Sequence, residues 1–78
     1  MHPATADVLR FFAHDHLPEA LRKIAKPVSD LAHAMAEDAN LSGAQLTLGL
    51  HKLLEAKDCF VRAALPAAPA YPLIKEEK

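Results

Sequence analysis

The residue with the most chemical consequence in this 78-residue chain is Lys57. At about 100° per residue on a helix, it falls inside an apolar stripe with Leu53, Leu54, Phe60 and Val61. An ammonium buried there without a partner costs on the order of several kcal/mol or gives up its proton. Lys57 must therefore snorkel to water, meet a carboxylate from another subunit, or face an anionic ligand such as a phosphate. Arg10, Arg22, Lys23, Lys26, Lys52 and Arg62 could add positive charge, although each alone reads as a solvated surface residue.

Two other groups invite a chemical reading and lose it on spacing. His14-Asp15-His16 puts two histidines at i and i+2, whereas a metal on one helical face wants i and i+4, and no third ligand is marked. The pattern reads as a polar loop entering a helix, with no metal. Cys59 is the single cysteine, and His51 lies about two helical turns before it, too far for a nucleophile and base to meet. It reads as a small buried thiol. No serine elbow, Gly-rich phosphate loop or paired carboxylates accompany these residues, so neither catalytic residues nor a cofactor are expected.

The elements that must position Lys57 follow from length and composition. A chain of this size buries only roughly 60% of its unfolded surface and usually needs a staple or a partner. One cysteine excludes an intrachain disulfide. Apolar residues are 51%, which excludes a disordered chain, while two glycines and 5% aromatics argue against a β-sandwich. Nine Lys+Arg against ten Asp+Glu give a net charge of -1, without the basic surplus that binding a nucleic-acid polymer requires. No targeting signal and no run of ~20 apolar residues is present, so the expectation is a cytoplasmic protein without a membrane partner.

The chain reads as all-α, one helical domain over 1–65 with helices at about 5–14, 17–39 and 43–65. Thr5 is expected to cap the first, with Val8, Phe11 and Phe12 on one face. Asp15 is expected to cap the second, with Pro18 in its first turn. Leu17, Leu21, Ile24, Val28, Leu31 and Met35 then form a heptad seam, opposite Arg22, Lys26, Ser29, His33 and Glu37. Pro27 inside this pattern predicts a kinked helix, or two shorter ones. Asn40-Leu41-Ser42-Gly43 is the turn, with Ser42 and Gln45 as a capping box and Leu41 and Leu46 as a hydrophobic staple. Two long helices joined this way form an antiparallel hairpin.

The third helix carries two apolar stripes. Leu46, Leu50, Leu53, Leu54, Phe60, Val61, Ala64 and Leu65 form a broad one, and Gly49, Ala56 and Ala63, spaced by seven, form a narrow one of small residues. One suits the helix before it and the other a neighbouring subunit, so a homo-oligomer with Gly49, Ala56 and Ala63 at its interface is expected. His51, Glu55, Asp58 and Arg62 make a polar face, with Asp58 and Arg62 at i, i+4. Residues 66–78 hold prolines at 66, 69 and 72 and are expected to be an extended tail.

Leu50-His-Lys-Leu-Leu-Glu-Ala-Lys-Asp-Cys-Phe-Val-Arg-Ala-Ala-Leu65, with His16-Leu-Pro18 and Lys26-Pro-Val-Ser-Asp-Leu-Ala32, resembles a group of small proteins from phages of actinobacteria. The third helix is also similar to the second half of the helical-hairpin domain shared by phage anti-CBASS and anti-Thoeris sponges, through Leu50, Lys52, Leu53, Glu55, Ala56 and the Ala63-Ala64 ending. The resemblance covers roughly residues 16–65. The Phe11-Phe12 segment and the Pro-rich tail depart from the simple hairpin.

The resemblance implies a non-enzymatic anti-defence protein in the cytoplasm of an infected bacterial host. Such proteins oligomerise and sequester cyclic nucleotide or cyclic ADP-ribose-type immune signals. Capturing a phosphate needs cations and oriented donors, for which Lys57, Arg62 and His51 are the candidates. Capturing a base needs aromatic faces, for which Phe12, Phe60 and Tyr71 are the candidates. The alternative is a small helical module that binds and inhibits a host protein through a surplus apolar face.

Overall fold

A computed structural model describes residues 1–65; the expected extended tail, with Tyr71, lies outside the described residues. Three helices and a short 3₁₀ turn follow in order: α1 (Pro3–Leu9), the 3₁₀ turn (Arg10–Phe12), α2 (Glu19–Glu37) and α3 (Gly43–Ala64). No strand occurs among the described residues. The two long helices pack together as a hairpin, and α1 with its 3₁₀ turn lies against both of them. No described helix is long and apolar enough to cross a membrane.

The first helix begins two residues earlier than expected. Pro3 takes its first position, where a missing N–H costs nothing. His2, rather than Thr5, is the cap, its Nδ1 accepting from the Ala4 N–H at 3.0 Å. Thr5 is instead buried inside the helix, its Oγ1 3.4 Å from that of Thr47 on α3. The helix tightens after Leu9 into the 3₁₀ turn, which rotates the two phenylalanines apart. Phe12 is 0% exposed, beside Val8 and Leu9, whereas Phe11 is 50% exposed and does not share their face.

The start of α2 is two residues later than expected, and the reason is local. A proline disfavours helical backbone in the residue before it, so Leu17 stays outside. Pro18 becomes the N-cap, its carbonyl accepting from the N–H groups of Leu21 and Arg22 at 2.9 Å. Asp15 does not cap the helix; Arg22 reaches back instead, Nη1 donating to the Leu17 carbonyl at 2.9 Å. The helix runs unbroken through Pro27. Lys23, whose carbonyl loses its helical donor there, is exposed like Pro27 itself, so water can replace the bond.

The buried face of α2 is rolled away from the expected seam. Ala25, Ser29 and Ala32 are buried, while Ile24 and Leu31 are 38% and 47% exposed. Ser29 therefore lies inside and not on the opposite side. The cause is the N-terminal segment: Val8, Leu9 and Phe12 form one cluster with Ala32 and Leu50. Small residues on α2 give the Phe12 ring room there, and the helix turns its bulkier ridge outward. Val28, Met35 and Ala36 close the edge of this core.

Asp38 organises the turn between the long helices, its carboxylate accepting from the Asn40 N–H at 2.8 Å. Ser42 is the N-cap of α3, as expected, but its side chain makes no capping bond, so the box with Gln45 is not formed. Gly43 opens α3 at φ +81, a left-handed conformation that costs glycine nothing. Leu65 ends the helix because Pro66 follows it.

Candidate functional site

The broad stripe of α3 divides in two. Leu46, Leu50, Leu53, Leu54, Lys57 and Val61 are buried or half-buried, but Phe60, Ala64 and Leu65 are exposed. Lys57 is therefore in the core, as its spacing demanded, at 7% exposure. Its Nζ donates to the Phe11 carbonyl at 2.8 Å and stands 5.9 Å from the centroid of the Phe12 ring. The partner is neither a carboxylate nor bulk water. It is a carbonyl at the end of the 3₁₀ turn, one of those a helix terminus leaves without an internal donor.

An ammonium has three donors, and the Phe11 carbonyl takes one of them. Lys57 also lines a cleft of about 260 Å³ with His16, Leu17, Asp58, Val61 and Arg62. Two elements build it. One is the C-terminal half of α3. The other is the turn before α2, which Pro18 keeps out of the helix and which so places His16 and Leu17 opposite Lys57. Arg62 does not pair with Asp58; its Nη2 lies 3.6 Å from the Cys59 Sγ. The three ion pairs found among the described residues are Arg10–Asp7, Lys23–Glu19 and Lys26–Asp30, so neither Lys57 nor Arg62 is in an ion pair there, although Asp58 lines the same cleft. Lys26 holds the Asp30 carboxyl below its ordinary 3.8, first by hydrogen bonding to it and then by charge.

Of the six expected ligand-binding residues, the structure brings Lys57 and Arg62 together. His51 is exposed and lies outside this cleft. Phe12 is a correction: wholly buried beneath Lys57, it has no face free for a base. Phe60 is 54% exposed but lines a different groove, with Ile24, Pro27 and Ala63. Tyr71 lies outside the described residues. Cys59 is another correction, since it is exposed and not a buried thiol.

His14 and His16 line separate depressions, and among the described residues no three metal-ligating side chains gather. Sequence reasoning missed His16 and Leu17 as walls of the cleft. The signal was Pro18, read as a helix position when its stronger effect is on the residue before it.

A second, apolar cleft of about 460 Å³ opens beside the α2–α3 turn, lined by Met35, Leu41, Leu46, Gly49 and Leu53 among others. Of the small residues expected at an interface, Gly49 and Ala63 are exposed and Ala56 is half-buried.

No protein-family model, curated protein or solved structure matches this chain.

Proposed function

We propose that this protein is a non-enzymatic capture protein, present as more than one copy, that takes the phosphate of a cyclic nucleotide or cyclic ADP-ribose-type signal. The observation that carries this reading is Lys57: a core ammonium in no ion pair among the described residues, in a cleft that also holds Arg62, His16 and Asp58. Lys57 supplies a desolvated positive charge, which attracts an anion more strongly than a hydrated one does. Arg62 supplies a planar fork matched to phosphate oxygens. Asp58 lowers the net charge and can accept from a ribose hydroxyl.

The cleft, at about 260 Å³, is below the ~300–1,000 Å³ of sites that enclose a whole ligand. It suits a phosphate with its sugar edge, the bases lying outside. The likeness of α3 to the anti-defence sponges supports the choice of signal and the setting, the cytoplasm of an infected bacterium.

Calorimetric titration with a cyclic dinucleotide, a cyclic trinucleotide and cyclic ADP-ribose tests the reading. Binding to at least one is expected, weakened at least tenfold by Arg62→Ala, with the ligand recovered intact after denaturation. Silence across the panel at micromolar concentration overturns it, and so does recovery of a cleaved ligand.

A further inference from the structure

Two clefts between α2 and α3 are lined by no residue of α1 or of the 3₁₀ turn. The first, about 420 Å³, sets Ile24 and Pro27 of α2 beside Phe60, Ala63 and Ala64 at the end of α3. The second is the apolar cleft of about 460 Å³ that sets Met35 beside Leu46, Gly49 and Leu53. Leu31 lies between Pro27 and Met35 on α2 and is exposed, as are Ile24 and Phe60. This side of the hairpin is apolar, is left uncovered by the described residues, and begins where α3 ends.

We propose that the chain's own segment 66–78, which lies outside the described residues, folds back along this side from the first cleft to the second. Three observations favour this occupant. The first is place. Leu65 follows Ala64, a wall of the first cleft, so the segment starts at the mouth of the groove. A tethered segment also meets its groove within one molecule, at an effective concentration in the ~mM range.

The second is reach. From Ala64 back to Gly49 is fifteen residues of α3, or ~22 Å. Thirteen residues follow Leu65, and a proline-rich extended chain advances ~3.1 Å per residue, ~40 Å in all. Reversing direction can use about four of them, and the other nine still span ~28 Å.

The third is pattern. A polyproline-type helix has three residues per turn. Pro66, Pro69 and Pro72 share that period and fall on one edge, and Ala68, Tyr71 and Ile74 fall on another. The second edge is wholly apolar, with its small residue nearest the projecting Phe60 and its large ones carried on toward the second cleft. Proline-rich segments dock in such grooves at low entropic cost, because their conformation is set beforehand. The cleft of Lys57 and Arg62 shares no lining residue with either of these and stays accessible.

The test is tyrosine fluorescence of the full chain, without ligand. Tyr71 is the single tyrosine and there is no tryptophan, so the signal reports segment 66–78 alone. Acrylamide is expected to quench Tyr71 at least threefold less than free N-acetyl-tyrosinamide, in dilute and concentrated protein alike. Phe60 is exposed in the described fold, so Phe60→Lys should leave circular dichroism helical and yet bring quenching to the free value. Ile74→Asp should do the same from the other partner. Quenching at the free value in the wild type overturns the proposal and leaves this side to a second copy or a host protein. Protection that disappears on dilution overturns it in favour of a second copy. Protection that survives both substitutions also overturns it, because Tyr71 is then held elsewhere. Since no ligand is present, these failures and a silent ligand panel are separate results.

Discussion

The Nζ of Lys57 donates to the backbone carbonyl of Phe11 at 2.8 Å, across 46 residues of sequence. This one bond fastens the N-terminal segment onto α3 and at the same time places a positive charge at the floor of the candidate cleft. Replacing Lys57 by methionine keeps most of the stem's packing and removes the donor, leaving the carbonyl short of a partner. The expected cost is ~1–3 kcal/mol in urea denaturation, with faster amide exchange across Val8–Phe12. Stability and exchange both unchanged would show that the bond holds nothing in place.

Phe11 and Phe12 are neighbours with opposite fates, 50% and 0% exposed. Phe12→Ala should cost ~3–5 kcal/mol by the cavity it leaves, enough to unfold most of a domain this small. Phe11→Ala removes a half-exposed ring stacked 4.9 Å from the Arg10 guanidinium and should cost less than ~1 kcal/mol. Thermal melts of the two variants decide it; equal losses would contradict the rotation that the 3₁₀ turn imposes.

That rotation is also where the sequence ran out. The helical hairpin, its turn and the burial of Lys57 were legible, because leucine periodicity and Pro66 act locally. The face of α2 was not. Periodicity places Ile24 and Leu31 in a seam, but the Phe12 cluster takes in Ala32, and Ala25 and Ser29 are buried on the same helix face. A preference between two faces of one helix is settled by what docks on it, and the docking segment lies outside any window along α2. The Phe11 carbonyl was invisible for a similar reason: backbone acceptors carry no signature in residue type. The caps failed differently. Thr5, Asp15 and Ser42 all favour capping, yet proline geometry at Pro3 and Pro18 fixed two of the helix starts first.

Asp30 should titrate below its ordinary 3.8, because Lys26 donates to it at 2.8 Å. The sign follows from linkage: a lowered folded value stabilises above the ordinary pKa, and that contribution is lost as pH falls through the lowered one. Both side chains are more than half exposed, so the effect is small and screened by salt. Carboxyl chemical shifts followed against pH should show the depression, and Lys26→Met should remove most of it. An Asp30 that titrates identically in both proteins would mean the pair does not persist in solution.

The two glycines should respond to alanine in opposite directions. A Cβ added at either meets nothing within 4 Å, so backbone alone decides within one chain. Gly43 sits at φ +81, where alanine is strained, and Gly43→Ala should cost ~1 kcal/mol or more. Gly49 is in the interior of α3, where alanine is preferred by ~1 kcal/mol. Gly49→Ala should therefore stabilise the chain. Urea denaturation of the two variants should show a loss for Gly43→Ala and a gain for Gly49→Ala. A loss at Gly49 would contradict the open space beside its α-carbon, and a gain at Gly43 would exclude the left-handed start of α3.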